Sequence, residues 1–523
     1  MNAPAPRPRF PRRSGQAWAR FRAHRRGWVS LWILAALYAL SLGAELICND
    51  KPLVLQTGGQ TFFPAFRSYT QDALLANGVM THMTDYRAFL KDHADQIDAA
   101  ILAPFRSGVH QTFSGEDLEP HRRFAFSLVP VSRAAAVQLA PDATPLHAFG
   151  DTNHFSAAIA SLPALLRDAP EFQDGIAARL RNEAAPAVDL PFDGGTISLA
   201  PFAPRATPPT SVRATLRSPE RVKRARLRVA PDRAADKLAA WPCLSPTDVS
   251  NVLAAAATAR ATGDWVEPVP IFGDSAAEPI ADVHVAYEPV SWPFRPVPGH
   301  PMGFDSSGRD VLARVIYAMR TSLTFGLVLV ASITLIGIVA GGIQGYFAGW
   351  VDIVGQRFTE IWSALPFLYV MILLGNTLGR SFGLLLVCYA IFNWIGTAAY
   401  VRAEFLRLRT RAFVDAARCQ GLSHARIIFR HILPNALTPV ITLLPFALVG
   451  AVGSLAVLDY LGFGLPAGSA SWGELLNQAQ EFRKAWWLIL HPSLALFTVM
   501  LLGVFIGEGL RDAFDPRPYS KLS

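Results

Sequence analysis

The sequence predicts an all-α polytopic membrane bundle of six transmembrane helices, with a large inserted α/β domain. Three observations predict it. Apolar runs near 28–48, 321–346, 358–378, 382–400, 437–458 and 486–508 are each about long enough to cross a bilayer. Residues 49–301, between the first run and the second, contain no such stretch. Arginines crowd ahead of the first run and between the fourth and fifth, the bias that marks cytoplasmic segments. The composition agrees: 51% hydrophobic and 17% charged is apolar and charge-poor for a soluble chain of 523 residues. A net charge of +8 raises nucleic-acid binding as an alternative, but the basic clusters flank membrane segments, so no nucleic-acid partner is expected.

The first 26 residues carry Arg7, Arg9, Arg12, Arg13, Arg20, Arg22, Arg25 and Arg26 and no acid. The apolar run after them is longer than a signal-peptide core and lacks a small-x-small cleavage site, so it reads as a retained anchor. Residues 1–49 are then a cytoplasmic basic tail and first span, and 50–302 an extracytoplasmic region. Within that region 85–102 has helical patterning, with Phe89, Leu90, Ile97 and Ile101 spaced for one face. Residues 211–229 read as strands, Ala225, Leu227 and Val229 alternating with Arg224, Arg226 and Arg228. The arginine face suits a solvated edge strand, or a contact with anionic headgroups or an acidic protein patch. Pro289, Pro293, Pro296, Pro298 and Pro301 form a stiff return to the membrane.

Residues 303–523 hold the remaining five spans. GFDSSGRDVLARVIYAMRTSL, 303–323, reads as a glycine-containing turn and an amphipathic helix near the outer surface. Gly337, Gly341 and Gly345 recur every four residues, a spacing that lets helices approach closely. Pro366 and Pro445 are expected to bend their helices, which suits a gated path as well as plain packing. Glu360 and Asn393 are polar groups in or near spans and join those prolines as candidates for a translocation path. Glu360 has a simpler reading as an ion pair with Arg357, and Asp459 marks the end of its span.

The loop at 404–435 is polar and basic between two apolar runs. Its 413–420 segment has helical composition, and Gly421 is suited to the left-handed conformation after a helix end. Ser423 can cap a second helix running to about Leu433, where Pro434 discourages continuation. Such an elbow holds no convergent acid, base and nucleophile, so it reads as a docking knob. No G-x-x-x-x-G-K-[ST], G-x-S-x-G or H-E-x-x-H occurs, so no ATPase or hydrolase site is expected. LQTGGQT at 55–61 is a chance likeness to an ATPase signature. Cys48, Cys243, Cys388 and Cys419 lack metal-ligand spacing, and His147 and His154 suit a surface loop, so no metal is expected.

Asp415-Ala416-Ala417, then Gly421, then Leu433-Pro434 resemble the EAA loop of bacterial ABC importer permeases, with Asp for the usual Glu and His431 for the usual Ile. RHILPN resembles the dipeptide and oligopeptide branch. FRAHRRGWVSLWILAALYALSLGAELICNDKPLV, the 303–323 segment and GEGLRDAFDPR are similar to the Yej-type oligopeptide permeases. Relatives have a much shorter external segment, so about 114–290 is an atypical insertion. The resemblance implies the ABC importer permease fold in a bacterial inner membrane, both termini cytoplasmic. It implies import of oligopeptides, peptide-antibiotic-like substrates included. It implies a second homologous permease, two ATPase domains and a periplasmic solute-binding protein as partners, besides membrane lipid. ATP would be used by those partners, with no cofactor on this chain, and Asp415, Ala416, Ala417, Gly421, Leu433 and Pro434 would couple to the ATPases. Two other readings stay open: a permease for another solute such as a nickel complex, and a membrane-anchored periplasmic enzyme or sensor.

The arginine asymmetry generates a topological test. A cysteine introduced as Ser423→Cys should react with a membrane-impermeant thiol reagent only after the membrane is opened. Labelling in intact cells would reverse the assignment.

Overall fold

A computed structural model describes residues 13–514, apart from 68, 70–73, 75–85, 141–143, 168–188, 193–194, 203–210, 219–221, 264–265 and 274–277. Arg7, Arg9, Arg12, Asp85, Arg221 and the C-terminal residues from Asp515 onward lie outside the described residues. The chain divides into two compact units, Met1–Gly115 with Ser291–Ser523, and Glu116–Val290.

The first unit opens with α1 (Arg13–Ala23) and α2 (Arg25–Leu42), separated at His24, whose Nδ1 accepts from the Gly27 amide at 3.1 Å. A further helical turn, Ala44–Ile47, leads to β1 (Val54–Thr57) and β2 (Gln60–Phe62). The helix expected over 85–102 is confined to α3 (Tyr86–Asp92). Ile97–Ile101 is instead strand β3, paired antiparallel with β1, Val54 facing Ile101 and Leu55 facing Ala100. The i, i+4 spacing of Ile97 and Ile101 fits either structure, and the backbone bonds offered by β1 decide for the strand.

The second unit holds two antiparallel sheets and their covering helices. Its strands are β4 (Phe124–Pro130), β5 (Ala134–Leu139), β6 (Pro145–Gly150), β7 (Asp189–Phe192), β8 (Gly195–Phe202), β9 (Ser211–Arg217) and β10 (Ala225–Val229), followed by β11 (Val269–Ile271) and β12 (Ala281–Tyr287). One sheet has the order β10-β4-β12-β11, the other β6-β5-β9-β8-β7. Within 211–229, Ser211–Arg217 and Ala225–Val229 are strands, as expected, but they serve different sheets, and Arg224 lies just before the second. Burial alternates along β4 and β12, and Phe126, Leu128, Val283 and Val285 face Val252, Ala256 and Ala259 of helix Pro246–Thr262. Helix Ser156–Arg167 covers the second sheet with Leu162 and Leu166. The longer helix begins with a capping box between Ser245 and Asp248. Burial pushes the Asp248 pKa up, but hydrogen bonds from Ser245, Phe272 and Gly273 outweigh it and hold the carboxyl below its ordinary range. On edge strand β10, Arg226 and Arg228 are exposed while Val229 is buried.

The chain returns to the first unit through helix Val311–Phe347, capped by Asp310, which accepts from the Ala313 amide at 3.2 Å. The amphipathic segment expected before this span is the span's own first turns, because nothing breaks the helix across its 37 residues. Next come Gly349–Ser363, Phe367–Thr377 and Phe382–Leu408. The first two form one apolar unit bent by 68°, with Pro366 in the cap position of the second. Leu433–Tyr460, Trp472–Glu481 and Trp486–Phe514 complete the unit. Pro439 and Pro445 sit inside the first of these without ending it.

Among the described residues, four helices are long and apolar enough to cross a membrane, and five spans result if the bent pair counts as one. The 18-residue α2 begins with Arg25 and Arg26, which keeps it out of that group.

Glycines set a close helix contact. A Cβ on Gly341 would stand 2.2 Å from the Ala398 carbonyl oxygen, and one on Gly345 would stand 2.6 Å from that of Arg402. The four-residue glycine ladder is thus a packing seam between Val311–Phe347 and Phe382–Leu408, the reading in which close backbone approach governs. Gly341→Val should force these helices apart and destabilise the protein by about 1–3 kcal/mol. Gly396→Ala, where a Cβ meets nothing within 4 Å, is the control. Thermal unfolding in detergent compares them, and equal melting temperatures would contradict the seam.

Candidate functional site

The 404–435 loop folds as a short helix, a glycine turn and the start of a long helix. Ala412–Cys419 presents two faces. Val414 and Ala417 are buried against Phe405, Leu408, Ile427 and Ile432, while Asp415, Ala416 and Arg418 are exposed. Gly421 has φ +73°, the left-handed conformation that its sequence position suggested. Its amide donates to the Arg418 carbonyl at 2.9 Å, and the Leu422 amide donates to that of Ala417 at 3.2 Å. These two bonds make a Schellman close, which satisfies the helix's last carbonyls and turns the chain sharply.

Two local expectations need correction. Ser423 occupies the cap position of the next helix, but its side chain makes no capping hydrogen bond. Pro434 does not stop that helix: His424–Tyr460 runs on as a single helix of 37 residues. The reason lies in Ile427–Ile432, which is wound as a π-helix, with the Leu433 amide reaching back five residues to the Ile428 carbonyl. That wider turn gives the Pro434 ring room that an α-turn would deny it.

The elbow rests on the C-terminal ends of two long helices. Tyr346 is buried beneath it, its hydroxyl 2.8 Å from His424 Nδ1, with the Arg418 guanidinium 5.8 Å above its ring. Arg402 grips Asp352 through two nitrogens, Nη2 donating to Oδ2 at 2.6 Å and Nε to Oδ1. Outside this frame, Phe413 is 41% and Phe429 66% exposed, on a surface that also shows Arg411, Arg426 and Arg430. Asp415 pairs with Arg418 at 3.4 Å in the open, an interaction worth little to stability. Leu433 is half-buried and Pro434 exposed.

The chain matches two known families: the binding-protein-dependent transport system inner membrane component over residues 333–518, and the N-terminal TM domain of oligopeptide transport permease C over 13–71. It is 44% identical over 227 residues to the inner membrane ABC transporter permease protein YejE of Escherichia coli strain K12, covering 42% of this chain and 67% of that one. The chain belongs to the family of inner-membrane components of binding-protein-dependent transport systems. This permease is also 46% identical over 216 residues to the peptidoglycan transport system permease protein YejE of Agrobacterium fabrum, covering 41% of this chain and 57% of that one. With the dipeptide transport system permease protein DppC of Alkalihalophilus pseudofirmus it shares 36% identity over 219 residues, 42% of this chain and 72% of that one. The family is one of transport permeases and not of ATPases. Neither family match reaches residues 72–332.

The remaining sequence candidates of this permease are spread around its bent pair. Glu360 is exposed and paired with Arg357 at 2.6 Å. Asn393 donates to the Tyr389 carbonyl at 3.0 Å within its own helix. Residues on either side of Pro366 reach the helix that carries Asn393: the Trp362 indole donates to the Ile391 carbonyl at 3.1 Å and Phe367 packs on Tyr389. Pro445 belongs to a separate helix. Among the described residues, no group of His, Cys, Asp and Glu is arranged to hold a metal ion.

Sequence reasoning missed a buried charge cluster. Asp305 and Arg314 are fully buried, their carboxylate Oδ2 and guanidinium Nη1 3.2 Å apart. Arg314 also donates to Glu474 and, at 2.8 Å, to the Ser469 carbonyl. Arg309 donates to Asp305 at 2.8 Å and to the Gly468 carbonyl at 3.2 Å. The indole of Trp472 adds a bond to the Val315 carbonyl at 3.1 Å. Two arginines against two carboxylates leave the cluster neutral, and it binds the 303–314 segment to 468–474. The acids and bases of GFDSSGRDVLAR were visible in sequence, but Glu474, 160 residues from Arg314, was not their evident partner. Arg314→Met breaks a buried ion pair and leaves fully buried Asp305 with Arg309 as its remaining cation, and should lower unfolding free energy by about 3–5 kcal/mol. Arg357→Met, which removes an exposed pair, should stay within about 1 kcal/mol of the parent. Equal melting temperatures for the two variants would refute the cluster's role.

Proposed function

We propose that this chain is a transmembrane subunit of an ATP-driven importer of oligopeptides, doing no covalent chemistry itself. It acts beside a second, homologous permease, two ATPase domains and a solute-binding protein. The names of two of its relatives, which speak of dipeptide and peptidoglycan transport, support the substrate class. The single observation that carries the coupling role is the two-faced helix Ala412–Cys419. Its inner face is packed, and its outer face, with Phe413, Asp415 and Ala416, is left open beside exposed Phe429. Exposed aromatic and charged groups on a firmly seated helix suit a protein partner.

In this reading α2 is the sixth span, both termini and the elbow face the cytoplasm, and residues 50–302 lie outside. The unit Glu116–Val290 is then an extracytoplasmic domain additional to the permease core. Asp415, Ala416, Ala417 and Gly421 form the knob that the ATPase receives, and Leu433 and Pro434 anchor it to its helix. Closure of the ATPases around ATP moves the knob and reorients the spans. The path runs along the bent pair, beside Glu360, Pro366 and Asn393, with Pro445 opposite. Its support is the exposed Arg357–Glu360 pair, since such charges favour protein or water over lipid.

Gly421→Val puts a branched side chain into a left-handed turn at a cost of roughly 1 kcal/mol or more, so ATPase co-purification should weaken about fivefold or more. Asp415→Lys should do the same by reversing a contact charge. Gly379→Val carries a similar strain, at φ +78°, outside the elbow and should leave co-purification unchanged. Peptide uptake should fall with association in the first two variants, both still inserted in the membrane. Parental association and uptake in both would end the coupling role.

A further inference from the structure

A lateral cavity of about 690 Å³ opens where the helices Val311–Phe347, Gly349–Ser363 and Phe382–Leu408 meet. Ala340, Trp350, Val354 and Trp394 give it apolar walls, and Gln344 is its polar lining residue. Gln344 is only 8% exposed. Its backbone carbonyl accepts from the Ala348 amide at 3.0 Å, but its side chain makes no hydrogen bond among the described residues. A Cβ on Gly355 would stand 2.5 Å from Gln344 Cδ, so the bare glycine gives the amide its room. An amide in so apolar a setting normally finds a partner, because leaving it unsatisfied is unfavourable.

The depth of the cavity narrows the choice of partner. Gln344 lies one turn before the end of a membrane-spanning helix, and Trp350, 80% exposed, begins the next. An exposed tryptophan at a span's end belongs at headgroup level, so the mouth sits there and the walls at Ala340 and Trp394 lie in the hydrocarbon zone. An occupant needs a hydrogen-bonding group near the mouth and an apolar chain running inward. No lining residue is charged, which favours a neutral ester over a free carboxylate. The amide can donate to an ester carbonyl.

We propose that this cavity binds one acyl chain and the adjoining ester of a membrane glycerophospholipid, with Gln344 as the recognising group. The site rests only on the chain being a membrane protein, and its failure would leave the transport reading untouched. The probe is phosphatidylethanolamine with a photoactivatable diazirine in one acyl chain, exchanged into native membranes that contain the permease, followed by peptide mapping. Crosslinks should concentrate on 340–358 over the equally lipid-accessible face around Leu494 and Phe497, which are 57% and 61% exposed. Gln344→Leu keeps the volume but removes the hydrogen-bonding atoms, and labelling at 340–358 should fall about fivefold, the factor for one net hydrogen bond of ~1 kcal/mol. Val354→Trp puts an indole into the cavity wall and should also reduce the enrichment. Labelling no greater than at Leu494 and Phe497, or unchanged in both variants, overturns the proposal. Crosslinking of Val354→Cys to a neighbouring polypeptide in place of lipid overturns it too, and gives the cavity to a protein partner.

Discussion

At Gly341 and Ala398 two long helices meet backbone against backbone, and much else is positioned by that close approach. In a hydrocarbon solvent helices gain little from hiding apolar side chains, so association depends on how closely backbones can approach. The glycine ladder brings the C-terminal ends of two long helices together, where Tyr346, Val401 and Phe405 form one floor. On that floor Val414, Ala417, Ile427 and Ile432 seat the elbow. Arg402 and Asp352 brace it from the side. The elbow is therefore a firmly seated element of the fold and not a loop free to yield.

Much of this was legible along the chain. The apolar runs after 303 are helices, and the break at Pro366 is where its missing amide makes one easiest. Gly421 was recognisable because few residues accept its backbone geometry. What escaped were features settled by distant partners. The strand at Ile97–Ile101 depends on β1 about forty residues earlier, and its own spacing fitted a helix equally well. Pro434 read as a stop because the π-turns before it have no sequence signature. The charge cluster stayed hidden because Asp305 and Arg314 look like ordinary surface charges until Glu474 is folded against them.

The second unit follows different physics. Its order comes from alternation: Phe124, Phe126 and Leu128 turn inward on one strand, Val283, Val285 and Tyr287 on its neighbour. The hydrophobic effect does here what glycine contacts do in the membrane core. Its exposed edge strand carries Arg226 and Arg228, charges that discourage pairing with another sheet.

The uninterrupted helix Val311–Phe347 has mechanical consequences. Near one end, Arg314 is locked into the charge cluster; near the other, Tyr346 lies under the elbow. The 32 residues between these fixtures span about 48 Å. With no proline inside it, the helix behaves as a stiff lever. A swing of about 5° about one end carries the other through about 4 Å, close to the rise of three helical residues. A small push on one fixture therefore arrives at the other as a displacement large enough to open or close a gap the width of a side chain.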